Sequence, residues 1–228
     1  MLFCTSVSSF DASILTVKSI QGFVLKLNNI VDEVRLANGL QTKREGFMSN
    51  IDLKGLPTTA ASSLPPVHTW SPPFCGDMDL VIKANGEWFH EGGKIKRPAM
   101  VTMFSRILWF DAGEYFLVTP VEKVRIQVED APFLVTTWQW VETELGRTIE
   151  FKTQTEDVLL LGVDSDLWMA TYLGEERPYV SMRYGMKALV GRNVFYGVVD
   201  SLEPVDTSEG VGMGIISAGK TYFLLQDE

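Results

Sequence analysis

Asn85-Gly86 stands between two short alternating runs, Asp79 to Lys83 and Glu87 to His90. Both residues tolerate the positive φ that a tight turn between right-twisted strands demands, so the dipeptide commits this segment to a β-hairpin. The same punctuation recurs downstream. Gly92-Gly93 makes a second turn, and Asp111-Ala112-Gly113 turns into an apolar strand, Tyr115 to Thr119. After Pro120, Val124, Ile126 and Val128 alternate with Lys123, Arg125 and Gln127, which describes a half-buried strand with a cationic outer face. Phe133 to Val141, a turn at Leu145-Gly146, Thr148 to Lys152 and Val158 to Val163 read as an antiparallel meander. Tyr179 to Arg183, Val211 to Ser217 and Thr221 to Leu225 complete the strands.

Two helices interrupt this pattern. Pro98 suits a first helical turn, and Met100, Val101, Phe104, Ile107 and Leu108 then share one face. Met186, Leu189, Val190 and Val194 fit a second helix, weakened by Gly191. The expected architecture is α+β, mostly antiparallel sheet. An internal duplication into two related α+β halves is also legible: Arg97-Pro98-Ala99-Met100 leads into the first helix much as Arg183-Tyr184-Gly185-Met186 leads into the second. In that register Arg106 falls on Arg192, Leu108 on Val194 and Phe110 on Tyr196.

The chain therefore divides into an N-terminal extension (1–47), an extended linker (48–73), a first half (74–133) and a second half (134–228). The linker is rich in Pro, Thr, Ala and Ser and closes with Pro65-Pro66 and Pro72-Pro73, which remove backbone donors and fix φ. In the extension, Ile20, Phe23, Val24, Leu27, Ile30, Val31 and Val34 recur at helical spacing before Asn38-Gly39. Two readings stand: an amphipathic arm, or a false translation start. The second is favoured, because Lys43-Arg44-Glu45-Gly46 can be encoded by a purine run of ribosome-binding type just ahead of Met48.

With 20 basic and 29 acidic residues the formal charge is −9, which repels nucleic acid and anionic membranes as a whole. No window approaches the roughly 18 uninterrupted apolar residues of a membrane span. Cys4 and Cys75 suggest no disulfide framework, and no cationic leader precedes the first apolar residues, so the expected compartment is cytoplasmic.

Gly214-Ile-Ile-Ser-Ala-Gly219-Lys220-Thr221 fits the phosphate-loop pattern letter for letter. That loop needs a following helix to aim N–H groups at phosphates, and Tyr222-Phe-Leu-Leu225 reads as strand. A hairpin turn at Gly219 is the better reading. Cys75 near Asp77 and His90 could form a nucleophile with a base, but thiols in this setting are more often small buried hydrophobes. Asp77 and Asp79 share one face of an extended segment, where turn capping competes with acid–base work.

Several long motifs resemble the bacterial family called domain of unknown function 1285. They are Trp70-Ser-Pro-Pro73-Phe-Cys-Gly-Asp77-Met-Asp79, Asn85-Gly86-Glu-Trp88, Ile95-Lys-Arg97-Pro98, Phe104-Ser105-Arg106, Tyr115 through Lys123, and Val128-Glu-Asp130-Ala-Pro-Phe133. The later half matches more loosely, at Pro178-Tyr-Val180, Arg183 and Val194-Phe-Tyr196, and Tyr184 stands where the family is expected to carry glycine. A less tightly turned backbone is the expectation there. The resemblance implies a duplicated core, a C-terminal half loosely like a pleckstrin-homology fold, and a nucleotide-like ligand bound between the halves with a signalling role. It brings no established activity, and the cofactor is unknown.

Arginine suits bidentate contact with phosphate, so the expected ligand-binding residues are Arg97, Lys123, Arg125 and Arg183, with Asp77 and Asp130 as offsetting acids. The partner is then a small anion, neither nucleic acid nor membrane. Three classes of function stay open. A non-catalytic small-molecule binding protein comes first, an enzyme using Cys75 with Asp77 and His90 second, and a protein-interaction scaffold third.

Overall fold

A computed structural model describes residues 64–207 and 210–224. The extension 1–47 and most of the linker lie outside the described residues. The described residues divide into two compact units, 64–80 with 90–127, and 81–89 with 128–224.

Seven elements follow a 3-10 turn at Val67–Thr69. They are β1 (Phe74–Ile82), β2 (Trp88–His90), β3 (Gly93–Lys94), α1 (Pro98–Arg106), β4 (Leu108–Asp111), β5 (Glu114–Val118) and β6 (Lys123–Val128). The Asn85-Gly86 hairpin forms as expected. Gly86 has φ +81, its N–H donates to the Lys83 carbonyl at 2.9 Å, and Asn85 Oδ1 accepts from Glu87 N–H at 3.0 Å. A side chain at Gly86 would also press on Leu134 Cβ at 3.0 Å, so both backbone and space require glycine there. Alternation along β1 buries Met78, Leu80 and Ile82 and turns Asp77 and Asp79 outward.

The remaining strands are β7 (Phe133–Thr143), β8 (Gly146–Thr153), β9 (Val158–Leu160), β10 (Leu167–Tyr172), β11 (Glu175–Ser181) and β12 (Lys187–Val190). Then come α2 (Arg192–Val199), β13 (Glu203–Thr207), β14 (Gly210–Ser217) and β15 (Lys220–Phe223). Phe133, Val135, Ile149, Phe151, Tyr179 and Ala188 are buried, and Val194 and Val198 of α2 join them where the helix packs on β7.

The two six-stranded sheets share one topology. Their orders are β3-β2-β1-β6-β5-β4 and β9-β8-β7-β12-β11-β10, each two three-stranded meanders joined through a central pair. In the second sheet that pair, β12 with β7, is parallel. In the first, Lys123 N–H donates to Pro73 O and Glu129 N–H to Ile82 O, so β6 also runs parallel to β1. The architecture is thus α+β with two related halves, followed by the antiparallel sheet β13-β14-β15. It does not by itself establish the pleckstrin-homology likeness expected of the second half.

The register expected for the duplication is wrong. In the first sheet the helix lies between β3 and β4, and in the second it follows β12. Arg183 therefore opens the loop before β12, whose counterpart is the loop before β6, and it is not equivalent to Arg97. The expected helix from Met186 to Val194 is two elements. Ala188 and Val190 are buried on a strand, Gly191 N–H donates to Val135 O, and α2 begins only at Arg192. Helical spacing of four apolar residues spanned a strand–helix junction. Tyr184 corrects another expectation: its backbone is left-handed (φ 59, ψ 31), so the tight turn is kept although a bulky residue occupies it.

Candidate functional site

Three of the four cations expected to hold an anion are already matched to carboxylates. Arg125 grips Asp77 with two bonds, Nε to Oδ1 at 2.8 Å and an Nη to Oδ2 at 3.0 Å, and donates to Glu114 at 2.6 Å. Lys123 Nζ donates to Asp111 at 3.0 Å and lies 3.9 Å over the Phe116 ring. Together they make an ion-pair ladder on the outer face of the first sheet, with Asp77 as the offsetting acid the sequence suggested. Arg183, in the second unit, bonds Asp157 and lies over the Phe133 ring at 4.9 Å. Asp157 in turn accepts from Thr155 Oγ at 2.7 Å. Arg97 is exposed at the N-cap of α1 and contributes no capping bond.

Asp130 sits with none of these four. Its side chain is 0% exposed and accepts from Tyr179 Oη at 2.8 and 2.9 Å, Lys187 Nζ at 2.9 Å and Arg177 at 3.3 Å. Burial, then the bond to Asp130, raises the Tyr179 phenol well above its ordinary pKa. Lys187 also lies 3.9 Å over the Tyr179 ring. Three donors converge on this buried carboxylate, Arg177 also bonding the exposed Glu175 at 3.0 Å, and that is the arrangement of a structural centre.

The catalytic constellation does not assemble. Lys83 N–H bonds Glu87 O and Glu91 N–H bonds Asp79 O, which sets His90 opposite Leu80 and on its buried face. Asp77 points to the other face and is held by Arg125. Cys75 donates weakly to Pro73 O at 3.5 Å. Among the described residues, no three His, Cys, Asp or Glu side chains gather where they could hold one metal ion. The phosphate-loop pattern is the β14–β15 hairpin. Lys220 Nζ and Tyr222 Oη both donate to Asp166, at 3.3 and 2.9 Å, and hold its carboxyl below the usual range, Tyr222 more strongly.

An open cleft of about 360 Å³ lies within the second unit. The β7–β8 hairpin supplies Trp140, Leu145 and Arg147, the segment after α2 supplies Ser201 and Glu203, and β14 with its turn supplies Ile215, Ile216 and Gly219. Trp140 pairs with Ile149, so Arg147 is its diagonal neighbour on the same face, and the guanidinium rests 3.9 Å over the indole. Two fittings hold the walls. At Gly197 of α2 any Cβ would stand 2.7 Å from Trp138 Nε1, so only glycine lets the helix approach the hairpin. On the other side Ser217 Oγ accepts from Ile149 N–H at 2.9 Å and donates to Leu161 O at 2.7 Å, and Ala218 N–H bonds Arg147 O at 3.1 Å. These pin the β14 turn onto β8.

Among the described residues the nearest acid to Arg147 is Glu203, at 4.0 Å, and both side chains are more than half exposed. Such a pair is weak. Arg125, Arg177 and Arg183 all hold carboxylates at hydrogen-bond distance. Sequence reasoning missed this cleft, although the pattern Trp140…Leu145-Gly146-Arg147 across an expected turn was its signal.

Residues 65–131 match the N-terminal domain of a family described as "Domain of unknown function (DUF1285)", and residues 132–224 match its C-terminal domain. A crystal structure of a DUF1285 family protein from Silicibacter pomeroyi DSS-3 is 38% identical with a TM-score of 0.64, covering 72% of this chain and 89% of that one. A second, from Shewanella baltica OS155, is 28% identical with a TM-score of 0.45, covering 54% and 91%. No curated protein matches the chain.

Proposed function

Because the chain belongs to the DUF1285 family, whose function is unknown, we propose its function from its geometry: a non-catalytic protein that binds a small amphipathic anion in the Trp140–Arg147 cleft. One observation carries this reading. Arg147 is held in place over an indole, yet among the described residues its charge is not spent on a close carboxylate. Apolar walls from Trp140, Leu145, Ile215 and Ile216 suit a flat body, and the guanidinium suits a carboxylate or phosphate at its edge. Nucleotides belong to this chemical class, which keeps the ligand type that the family resemblance implies while moving it away from Arg97, Lys123, Arg125 and Arg183. A signalling role fits a binding protein of this kind.

Thermal unfolding with adenosine monophosphate, benzoate and inorganic phosphate tests the proposal. A ligand at 100 times its Kd that binds only the native state adds about 2.7 kcal/mol. The monophosphate or benzoate should raise the midpoint of the wild type and not of Arg147→Ala, and phosphate alone should do little. Equal stabilisation of both proteins, or none of either, would sink the reading.

A further inference from the structure

The described sheets have six edge strands, and five of them are blunted. β3 has two residues, one of them Lys94, and β9 has three. β4 has four and ends in Asp111, which Lys123 holds. β13 carries Glu203, Pro204 and Asp206, and β15 begins with Lys220. Short length, charge and proline are the devices that keep an open edge from pairing with another chain. β10 has none of them. It is six residues long, Leu-Trp-Met-Ala-Thr-Tyr, uncharged and without proline, and among the described strands it pairs in continuous register with β11 only.

A second observation sits at the end of the same strand. Leu173, in the β10–β11 turn, is 86% exposed and left-handed, with φ +51. A branched apolar side chain gains nothing from either condition, and Asn or Gly would fill the position more easily. Trp168, also on β10, stacks on Tyr179 and leaves 38% of its surface open. Backbone groups that no other described strand pairs, an exposed indole and a strained exposed leucine therefore lie along one uncharged edge.

We propose that β10 is a self-association edge, pairing antiparallel with β10 of a second copy about a twofold axis. A net charge of −9 repels a second copy overall, and an uncharged strand is where that repulsion is least. Isologous pairing makes the partner's edge identical, so the uncharged sequence meets no like charge. The backbone supplies hydrogen bonds, and Leu173 and Trp168 supply the apolar contact. With the axis normal to the sheet, one central residue of β10, Met169 or Ala170, must face its own copy.

Sedimentation equilibrium and cysteine cross-linking test this directly. The wild type should show concentration-dependent dimers, and Thr171→Lys/Leu173→Lys should sediment as a monomer with an unchanged circular dichroism spectrum. In a Cys4→Ser/Cys75→Ser background, either Met169→Cys or Ala170→Cys should form a disulfide-linked dimer on mild oxidation. A wild type that stays monomeric at the highest concentration reached overturns the proposal. So does a dimer that survives the double lysine change and cross-links through neither cysteine.

Discussion

Two places in the second unit set cationic side chains on an aromatic ring, and they use them in opposite ways. Around Asp130, a buried carboxylate takes up Tyr179, Lys187 and Arg177 at hydrogen-bond distance. Around Trp140, Arg147 lies on the indole with Glu203 at 4.0 Å, at the rim of an open cleft. The chemistry of the groups is the same, and burial with pairing separates the outcomes. A charge enclosed and fully bonded is committed to the fold, because removing any partner strands the others in a medium that solvates them poorly. A charge held by a ring and left half in water costs little to keep and can be spent on a ligand.

Cutting the buried centre should have the largest effect. Asp130→Ala leaves Lys187 without its acid, Tyr179 without its acceptor and Arg177 with the exposed Glu175 alone, and should cost about 3–5 kcal/mol, read by urea unfolding. A loss below about 1 kcal/mol, the worth of an exposed pair, would erase the distinction. Tyr179→Phe removes one donor and should cost about 1–2 kcal/mol. It also carries the alkaline signature. The folded-state pKa of Tyr179 is raised, so its contribution is complete below the unfolded value of about 10 and is lost as pH climbs above it. Wild-type stability should therefore fall above about pH 10 more steeply than that of Tyr179→Phe, whose phenol is gone.

Relieving the turn that delivers β12 and its Lys187 should stabilise. A left-handed L-residue costs about 1–2 kcal/mol, and glycine returns roughly 0.5–1 of it as unfolded-chain entropy. Tyr184→Gly should then gain about 0.5–1 kcal/mol in the same unfolding assay. Arg147→Ala, at the other pole of the comparison, should cost no more than about 1 kcal/mol, the worth of an exposed cation–π contact, while abolishing anion binding.

The sequence displayed what depends on near neighbours. Turn residues at Asn85-Gly86 and Leu145-Gly146, and alternation along β1, β6 and β8, were legible because their periods and φ demands are local. β12 was mistaken for helix because Met186, Leu189, Val190 and Val194 match a helical face until Gly191 pairs with β7, a partner more than fifty residues away. β4, β10 and β13 were missed for want of strong alternation. At the candidate site the residue types that hold anions were legible and their partners were not. Lys123 and Arg125 look free in sequence, and only the pairing of β1, β5 and β6 brings Asp77, Glu114 and Asp111 to them. Arg147 was passed over because the wall it completes comes from Ile215, Ile216 and Gly219, some seventy residues on.

The location of the anion decides the account most directly. In a 15N-labelled sample titrated with adenosine monophosphate, the indole N–H signal of Trp140 and the backbone amides of Ser201 and Gly219 should move together and saturate. Amides of β6 and of Arg183 should stay where they are. Shifts centred on Lys123, Arg125 and Arg183, with Trp140 unmoved, would return the ligand to the cations that the structure shows already paired, and would contradict the assignment of the cleft.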